Sequence, residues 1–388
     1  MQAPGVLRHR TNSTKLTKRS ANMDQEWLEQ IESCSACDAC IEACPTYTVT
    51  GNLLYSPKRR VELARKVLVD NEVDEDTIAS FYTCSKCSAC EVVCPMGIEI
   101  SKIVALARNR MVELGKGPLP AHKKVIQNLL EKGNTVNGDP AKRLEWLPEP
   151  FQHHESETLF YAGCLPSYLV KDAAKYSYLA LKKLGVDFMI LEDEGCCGTY
   201  MYESGEIAQA RDYFQKNVER FKALGIKQII VPCNGCYKCF KYFYPEVLGS
   251  KDFEIVHVVQ QIYNVLKNSP DRLRRIDRTV TYQDSCRLGR AEGYTEEPRQ
   301  LLRWCGAEVH ELPSSRENTP CCGSGGGVRS AFKDLSFDIA RDMLTKTETK
   351  ELISPCPFCT FNLGFTNKSA ELDKKITYIA KIIYESLE

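Results

Sequence analysis

The chain has no excess of either charge. Its 51 lysines and arginines face 51 aspartates and glutamates over 388 residues, which removes the broad electrostatic case for binding nucleic acid or an anionic membrane surface. It lacks an uninterrupted apolar run near the ~20 residues that span a bilayer, so any membrane association must come through a partner subunit. No apolar segment of signal-peptide type stands at its start. The twenty cysteines are therefore not read as the disulfide scaffold of a small secreted domain, and a reducing, cytoplasmic setting is expected. Other chemistries are missing as motifs. No G-x-G-x-x-G follows a strand, no P-loop Lys-Ser/Thr pair follows Gly323-Ser324-Gly325-Gly326-Gly327, and no serine, histidine and aspartate stand in hydrolase context. A separate flavoprotein or cytochrome partner is therefore implied for any electron source.

What the chain has is cysteine in two patterns. C-x2-C-x2-C-x3-C-P occurs at Cys34, Cys37, Cys40, Cys44, Pro45 and again at Cys84, Cys87, Cys90, Cys94, Pro95. C…CCG…C-x2-C occurs at Cys164, Cys196, Cys197, Cys233, Cys236 and again at Cys286, Cys321, Cys322, Cys356, Cys359. Cys239 and Cys305 are left over. Matching cysteines of the second pattern stand at an almost constant offset, which implies two homologous lobes.

With 43% hydrophobic residues the chain can bury ordinary cores, and its length suits two or three domains. Residues 1–22, basic and without apolar periodicity, read as a flexible tail. Residues 23–119 read as an all-helical domain, with Val61, Leu63, Ala64, Val67 and Leu68 as an apolar helix face. Residues 120–153, rich in glycine and proline, read as a linker with one helix near Val125 to Leu130. Residues 154–270 and 271–388 read as two α/β lobes with parallel sheets. Strands are expected at Thr158 to Ala162, Phe188 to Leu191, Ile229 to Val231, Thr279 to Tyr282, Glu308 to Leu312 and Glu351 to Ile353. Helices are expected over Ala173 to Leu184, Ile207 to Leu224, Pro298 to Trp304 and Ala331 to Thr345.

The dense pattern matches the ligand run of bacterial ferredoxins, in which the fourth cysteine serves the neighbouring cluster. On that precedent one cubane 4Fe-4S cluster takes Cys34, Cys37, Cys40 and Cys94, and the other takes Cys84, Cys87, Cys90 and Cys44. Structural zinc generally uses two separated C-x2-C pairs, which is not this arrangement. In the second pattern five thiols per lobe fall at or just beyond predicted strand ends, where parallel sheets gather ligands. Gly163, Gly195, Gly198 and Gly235, then Gly289, Gly323, Gly325, Gly326 and Gly327, accompany them and are expected to let backbone amides approach a cluster.

A twin-cluster helical domain followed by two cysteine-rich CCG repeats resembles heterodisulfide reductase, its catalytic iron-sulfur subunit fused behind its small ferredoxin-like subunit, over residues 24–388. The architecture is also similar to the iron-sulfur subunits of glycolate oxidase, anaerobic glycerol-3-phosphate dehydrogenase and sulfite-reduction membrane complexes. The segment Asp284-Ser285-Cys286-Arg287-Leu288-Gly289-Arg290 is of a kind seen across that superfamily. The resemblance implies a non-cubane 4Fe-4S cluster in each complete repeat. The first would use Cys164, Cys196, Cys197, Cys233 and Cys236, and the second Cys286, Cys321, Cys322, Cys356 and Cys359. It implies reduction of a small-molecule disulfide by electrons from the two cubanes, with Arg287, Arg290, Lys238 and Arg329 as candidates for charged substrate tails. The competing expectation is a non-catalytic relay between a flavoprotein dehydrogenase and a quinone or other acceptor.

Cys239, whose counterpart in the second repeat is Asn362, and Cys305 are expected to be buried thiols. His153 and His154 are expected to be exposed linker residues, and Tyr237, Tyr242 and Tyr244 to be packing that keeps water from a cluster.

Overall fold

A computed structural model describes residues 25–387; the tail expected at 1–22 lies outside the described residues. The helical domain is built on Pro57–Arg65, Glu75–Tyr82 and Ile100–Glu113. Ser56 and Asp74 cap the first two of these, their side-chain oxygens accepting the Arg59 and Thr77 amides at 3.2 and 2.7 Å, and Pro57 fills a first-turn position where no amide hydrogen is needed. Val61, Leu63, Ala64 and Val67 are buried against Phe81, Ile103, Val104 and Met111. Leu68 only packs on the edge of that core.

The two dense cysteine motifs adopt the same backbone. Ala36 and Lys86 both have φ 53°, while Asp38 and Ser88 have φ 65° and 61°. Two non-glycine residues in the left-handed region within four positions, repeated in both motifs, are sterically costly and mark a functional loop. They curl each C-x2-C-x2-C segment into a cup.

Each lobe is a parallel sheet flanked by helices. In the first, β1 (Thr158–Phe160), β2 (Gln228–Val231) and β3 (Glu254–His257) lie in that order. In the second, β4 (Thr279–Tyr282), β5 (Glu308–Glu311), β6 (Glu351–Ser354) and β7 (Lys375–Tyr378) are ordered β5-β4-β6-β7. The expected strand at Phe188 to Leu191 is reduced to a single bridge between Met189 and Leu159, so the first lobe loses the edge strand equivalent to β5. Strands β3 and β7 were not anticipated. The helix expected over Ala331 to Thr345 is Lys333–Thr345, preceded by a separate helical turn at Val328–Ala331.

The lobes share one core. Phe160 and Ile230 of the first sheet and Val280 and Ile353 of the second belong to a single buried cluster, into which Ala173, Ala180 and Leu181 pack from one lobe and Ile379, Ile382 and Ile383 from the other. At about 1.5–3 kcal/mol for each large apolar side chain buried, this shared core makes the two lobes one rigid unit. The segment read as a linker is woven into it. Its helix is Pro120–Lys132, Trp146 lies in the shared core, and Arg143 forms a buried ion pair with Glu194.

Candidate functional site

Each of the thiol sets expected from the sequence lines one space. Cys34, Cys37, Cys40 and Cys94 surround a cavity of about 20 Å³ beside Lys58 and Met96; Cys37 is exposed. Cys44, Cys84, Cys87 and Cys90 surround another of about 20 Å³, where the Lys86 amide donates to Cys84 Sγ at 3.4 Å and Arg60 Nη1 to Cys44 Sγ at 3.5 Å.

In the first lobe Cys164, Cys196, Cys197, Cys233 and Cys236 line a third cavity of about 20 Å³. Strand β1 delivers Cys164, β2 delivers Cys233 and Cys236, and the adjacent pair sits on a turn held from all sides. Tyr161 donates to Gly195 O at 2.7 Å, Tyr213 accepts the Cys196 amide at 3.2 Å, and Asn217 donates to Cys196 O at 3.1 Å. Glu194, paired with Arg143, accepts the Ala162 and Gly163 amides at 2.9 and 2.8 Å and so fixes the end of β1. At Gly163 (φ 81°) an added Cβ would stand 3.0 Å from Cys236 Sγ, so only glycine leaves the thiols their space.

The second lobe differs. Cys286, Cys321, Cys322, Cys356 and Cys359 face a cavity of about 290 Å³ between the lobes, whose wall also includes Thr135, Leu165, Thr199, Tyr200 and Phe358. Those same five residues line the first lobe's thiol cavity. Three charged residues stand in the large cavity's wall: Arg287, Arg329 and Glu203. Arg287 Nη2 donates to Glu203 Oε2 at 2.8 Å; Arg329 lies over the Phe337, Phe365 and Phe361 rings, 4.6, 5.1 and 5.6 Å from their centres, and among the described residues its Nε has no hydrogen-bond partner.

The other two proposed tail-binding residues, Arg290 and Lys238, are not in the wall of that cavity. Arg290 donates to Cys87 O and Glu317 O, both at 2.7 Å, and to Thr319 O, tying the helical domain to the second lobe. Lys238 sits 5.5 Å from the Phe243 ring centre. Asp284, in the superfamily segment, forms a bidentate pair with buried Arg299 at 2.6 and 2.8 Å. Tyr237 and Tyr242 both donate to Glu292 across the lobes, while Tyr244 donates to Cys197 O at 3.1 Å.

Cys239 and Asn362 turn out to have one role. Cys239 Sγ donates to Cys197 O at 3.3 Å and Asn362 Nδ2 to Cys322 O at 2.7 Å, so equivalent positions secure the second cysteine of each adjacent pair. Cys305 is buried in the shared core. His154 is exposed and faces Asp187 at 2.6 Å, and His153 is exposed as well.

Three glycines of the run have a use that the sequence did not suggest. A Cβ on Gly325 would stand 2.5 Å from Ser85 O, one on Gly326 would strike Cys84 O, and one on Gly327 would come within 2.7 Å of His122 Nε2. These residues let the second lobe close against the helical domain. Contact between the thiol sets follows: Cys321 Sγ donates to Ser85 Oγ at 3.4 Å, two residues from Cys87 in the second dense motif. Sequence reasoning missed Ser85, Thr135 (Oγ1 3.3 Å from Cys164 Sγ) and Glu203, whose partners are all distant in the chain.

These donor sets fit iron-sulfur clusters. Hydrogen bonds to Cys197 and Cys322 hold the Cys236 and Cys359 thiols well above their usual range, with further contributions from Cys233 and Cys356 and from burial; such crowded thiols ionise together only around a cationic centre. Backbone amides also point at sulfur, Gly198 at Cys196 Sγ (3.5 Å) and Gly323 at Cys321 Sγ (3.3 Å). Among the described residues no three His, Cys, Asp or Glu side chains converge as they would around a single ion; the thiols enclose volumes instead.

Fold and thiol sets together define an iron-sulfur electron-transfer protein. The 4Fe-4S dicluster domain profile matches residues 30–98, and the cysteine-rich CCG domain profile matches 158–241 and 280–364. A subunit of dihydromethanophenazine:CoB--CoM heterodisulfide reductase from Methanosarcina mazei is 28% identical, over 94% of this chain and 96% of that one. The EtfAB:quinone oxidoreductase of Syntrophomonas wolfei is 29% identical over 74% of this chain and 44% of that protein, and a subunit of fumarate reductase (CoM/CoB) from Methanothermobacter marburgensis is 28% identical over 74% and 56%. Among solved structures, a glutamate racemase from Bacillus anthracis aligns at a TM-score of only 0.29 with 12% identity over 60% of this chain and 80% of that one, too slight to bear on function. The chain carries a 4Fe-4S dicluster domain followed by two CCG domains, and over nearly its whole length it is similar to heterodisulfide reductase subunits. Among the described residues no helix is long and apolar enough to cross a membrane.

Proposed function

We propose that this chain reduces a small mixed disulfide in the cavity between its lobes, using electrons delivered by a partner subunit through the dicluster domain. The balance is R-S-S-R′ + 2 e⁻ + 2 H⁺ giving RSH and R′SH. Two cubanes would be held by Cys34, Cys37, Cys40, Cys94 and by Cys44, Cys84, Cys87, Cys90. Two non-cubane clusters would be held by Cys164, Cys196, Cys197, Cys233, Cys236 and by Cys286, Cys321, Cys322, Cys356, Cys359. When bound, such clusters supply one-electron transfers and iron sites with affinity for sulfur.

The observation that carries the reading is a contrast in volume. Three thiol sets enclose about 20 Å³ each, whereas the fourth opens on about 290 Å³. Most of that space exceeds what a cluster needs, and it is shared with the wall of the opposite thiol set. A relay has no use for such a chamber.

The chain's own residues then have definable tasks. Phe358 and Leu165 keep water from the chamber, and Tyr200, donating to or accepting from Ser330, closes one side. Arg287, pinned by Glu203, and Arg329 leave the wall with more cation than anion, which favours anionic substrate tails. The Methanosarcina relative carries the CoB--CoM pair in its name, a precedent for a mixed disulfide of two low-molecular-weight thiols. Its name, like that of the quinone oxidoreductase, belongs to a multi-subunit system, and a flavoprotein or cytochrome partner is proposed here on the same footing.

The test is paramagnetic resonance of the anaerobically isolated chain, oxidised in the presence of candidate thiols. The proposal expects a new signal that requires the thiol and is lost in Cys321→Ser. Oxidation giving the same spectrum with and without thiol would favour the relay instead.

A further inference from the structure

We propose that Arg60 sets the reduction potential of the second cubane site above that of the first, so that electrons arriving at the exposed site are drawn inward. The inference rests on the ligand sets proposed above and goes beyond them to a residue of no assigned role.

Arg60 is 1% exposed. Its Nε donates to Ser80 O at 2.8 Å, its Nη2 to Thr83 Oγ1 at 3.3 Å and its Nη1 to Cys44 Sγ at 3.5 Å. The ionisable groups acting on it most strongly are Cys84, Cys44 and Cys90, and among the described residues it forms no ion pair with a carboxylate. A buried guanidinium is expensive unless an anion compensates it. Here the thiolates of the second set are the anion at hand.

The rest of that neighbourhood is mostly cationic, with Glu91 acting on Cys90 as a carboxylate in the balance. Arg108, fully buried, donates to Cys84 O at 2.8 Å. Lys86 stands between Cys84 and Cys87 and is 3% exposed; its nearest anion is Glu203 at 3.6 Å, which Arg287 already engages. The first site is the opposite case. Its cation, Lys58, is neutralised by Asp38 at 2.7 Å, and Cys37 opens it to solvent. Charge near a cluster and its burial are two determinants of potential. Uncompensated cations favour the added electron at the second site, and low dielectric strengthens their field while itself opposing the added negative charge, so the ordering rests on the cations.

Arg60 also fastens the Pro57–Arg65 helix to the end of Glu75–Tyr82, so its effect must be read on potential rather than stability. The experiment is a redox titration of the full chain, followed by low-temperature paramagnetic resonance, on the unmodified protein, Arg60→Gln and Arg60→Lys. The signal altered by Cys37→Ser assigns the first site. Expected are a higher midpoint for the second site and, in Arg60→Gln, a fall of that midpoint by at least a tenfold change in equilibrium constant, 59 mV for one electron. The first site stays fixed, and Arg60→Lys, which keeps the charge, retains most of the difference. Should Arg60→Gln lose iron, the ordering in the unmodified protein and the Arg60→Lys midpoint decide. Equal shifts at both sites, no shift, or a first site above the second overturns the role of Arg60. Absence of two cubane signals from the unmodified protein would instead sink the ligand sets themselves.

Discussion

Arg108→Met should loosen the contact through which electrons pass from the dicluster domain to the lobes. The guanidinium is fully buried and bonded only to carbonyls, those of Phe81 (3.2 and 2.8 Å) and Cys84 (2.8 Å) in the helical domain, Glu203 (2.7 Å) in the first lobe and Gly326 (2.7 Å) in the second. Hydrogen bonds from a charged donor contribute ~1.5–3 kcal/mol each, so the five amount to ~10 kcal/mol before costs. Desolvating the guanidinium takes back several kcal/mol, which leaves a net contribution of about 4 kcal/mol. Methionine fills much of the volume, so the loss is of bonds and not of packing. Because the acceptors come from three domains, the loss should appear as undocking rather than global unfolding. Limited proteolysis should release the helical domain in the variant under conditions where the unmodified chain is intact, and urea should separate an early transition from that of the lobes. Reduction of the lobes by electrons supplied to the dicluster domain should slow, while iron content is kept. A single transition shifted by less than 1 kcal/mol, with unaltered electron transfer, would refute the clasp.

Cys196→Ala should lower iron and acid-labile sulfide by the share of the first lobe while the cubane signals persist; unchanged iron content would remove Cys196 from the ligand set. Gly326→Ala puts a side chain at φ 58° against the Cys84 carbonyl, and a destabilisation of ~2 kcal/mol or more is expected in thermal unfolding. Asn362→Leu leaves the Cys322 carbonyl unsatisfied, costing ~1–3 kcal/mol, and should disturb the second lobe's spectrum and not the first's. Burial, aided by the charge of Arg108, pushes His122 down to about 4, and its Nε2 faces Gly327 O at 3.1 Å. Since the unfolded value is near 6.5, its contribution to stability is complete above that pH and is lost as pH falls toward 4, by about 3 kcal/mol. Denaturation midpoints between pH 7 and 4.5 should fall less steeply in His122→Gln; equal slopes would show that this ring plays no part.

The sequence carried the parts of this molecule that are written in local spacing. Cysteine runs, the repeat offset and the runs Thr279 to Tyr282 and Ile229 to Val231 are short-range signals, and the folded chain has strands there. Strands β3 and β7 escaped because each is four residues, with a charged residue at its start and only partial burial, too short for alternation to show. Phe188 to Leu191 had the right composition, yet at the sheet edge only Met189 finds a bridging partner. The segment 120–153 looked like connection because glycine and proline dominate it locally, whereas Thr135, Arg143 and Trp146 meet partners far away in the chain. Arg60, Arg108 and Glu203 carried no signal at all, since a buried charge is recognised only by what surrounds it. The glycine run was seen, but its local sequence did not show that Gly325 and Gly326 also admit the backbone of another domain.

The most direct test of a disulfide-cleaving chamber is a single turnover. The chain, reduced anaerobically by a measured number of electrons and freed of reductant, is mixed with a mixed disulfide of two anionic thiols, and released thiol is counted. Two thiols formed for every two electrons lost, with none formed by Cys321→Ser, is the predicted result. Reduced protein that passes its electrons to a quinone or dye but yields no thiol from any disulfide would contradict it.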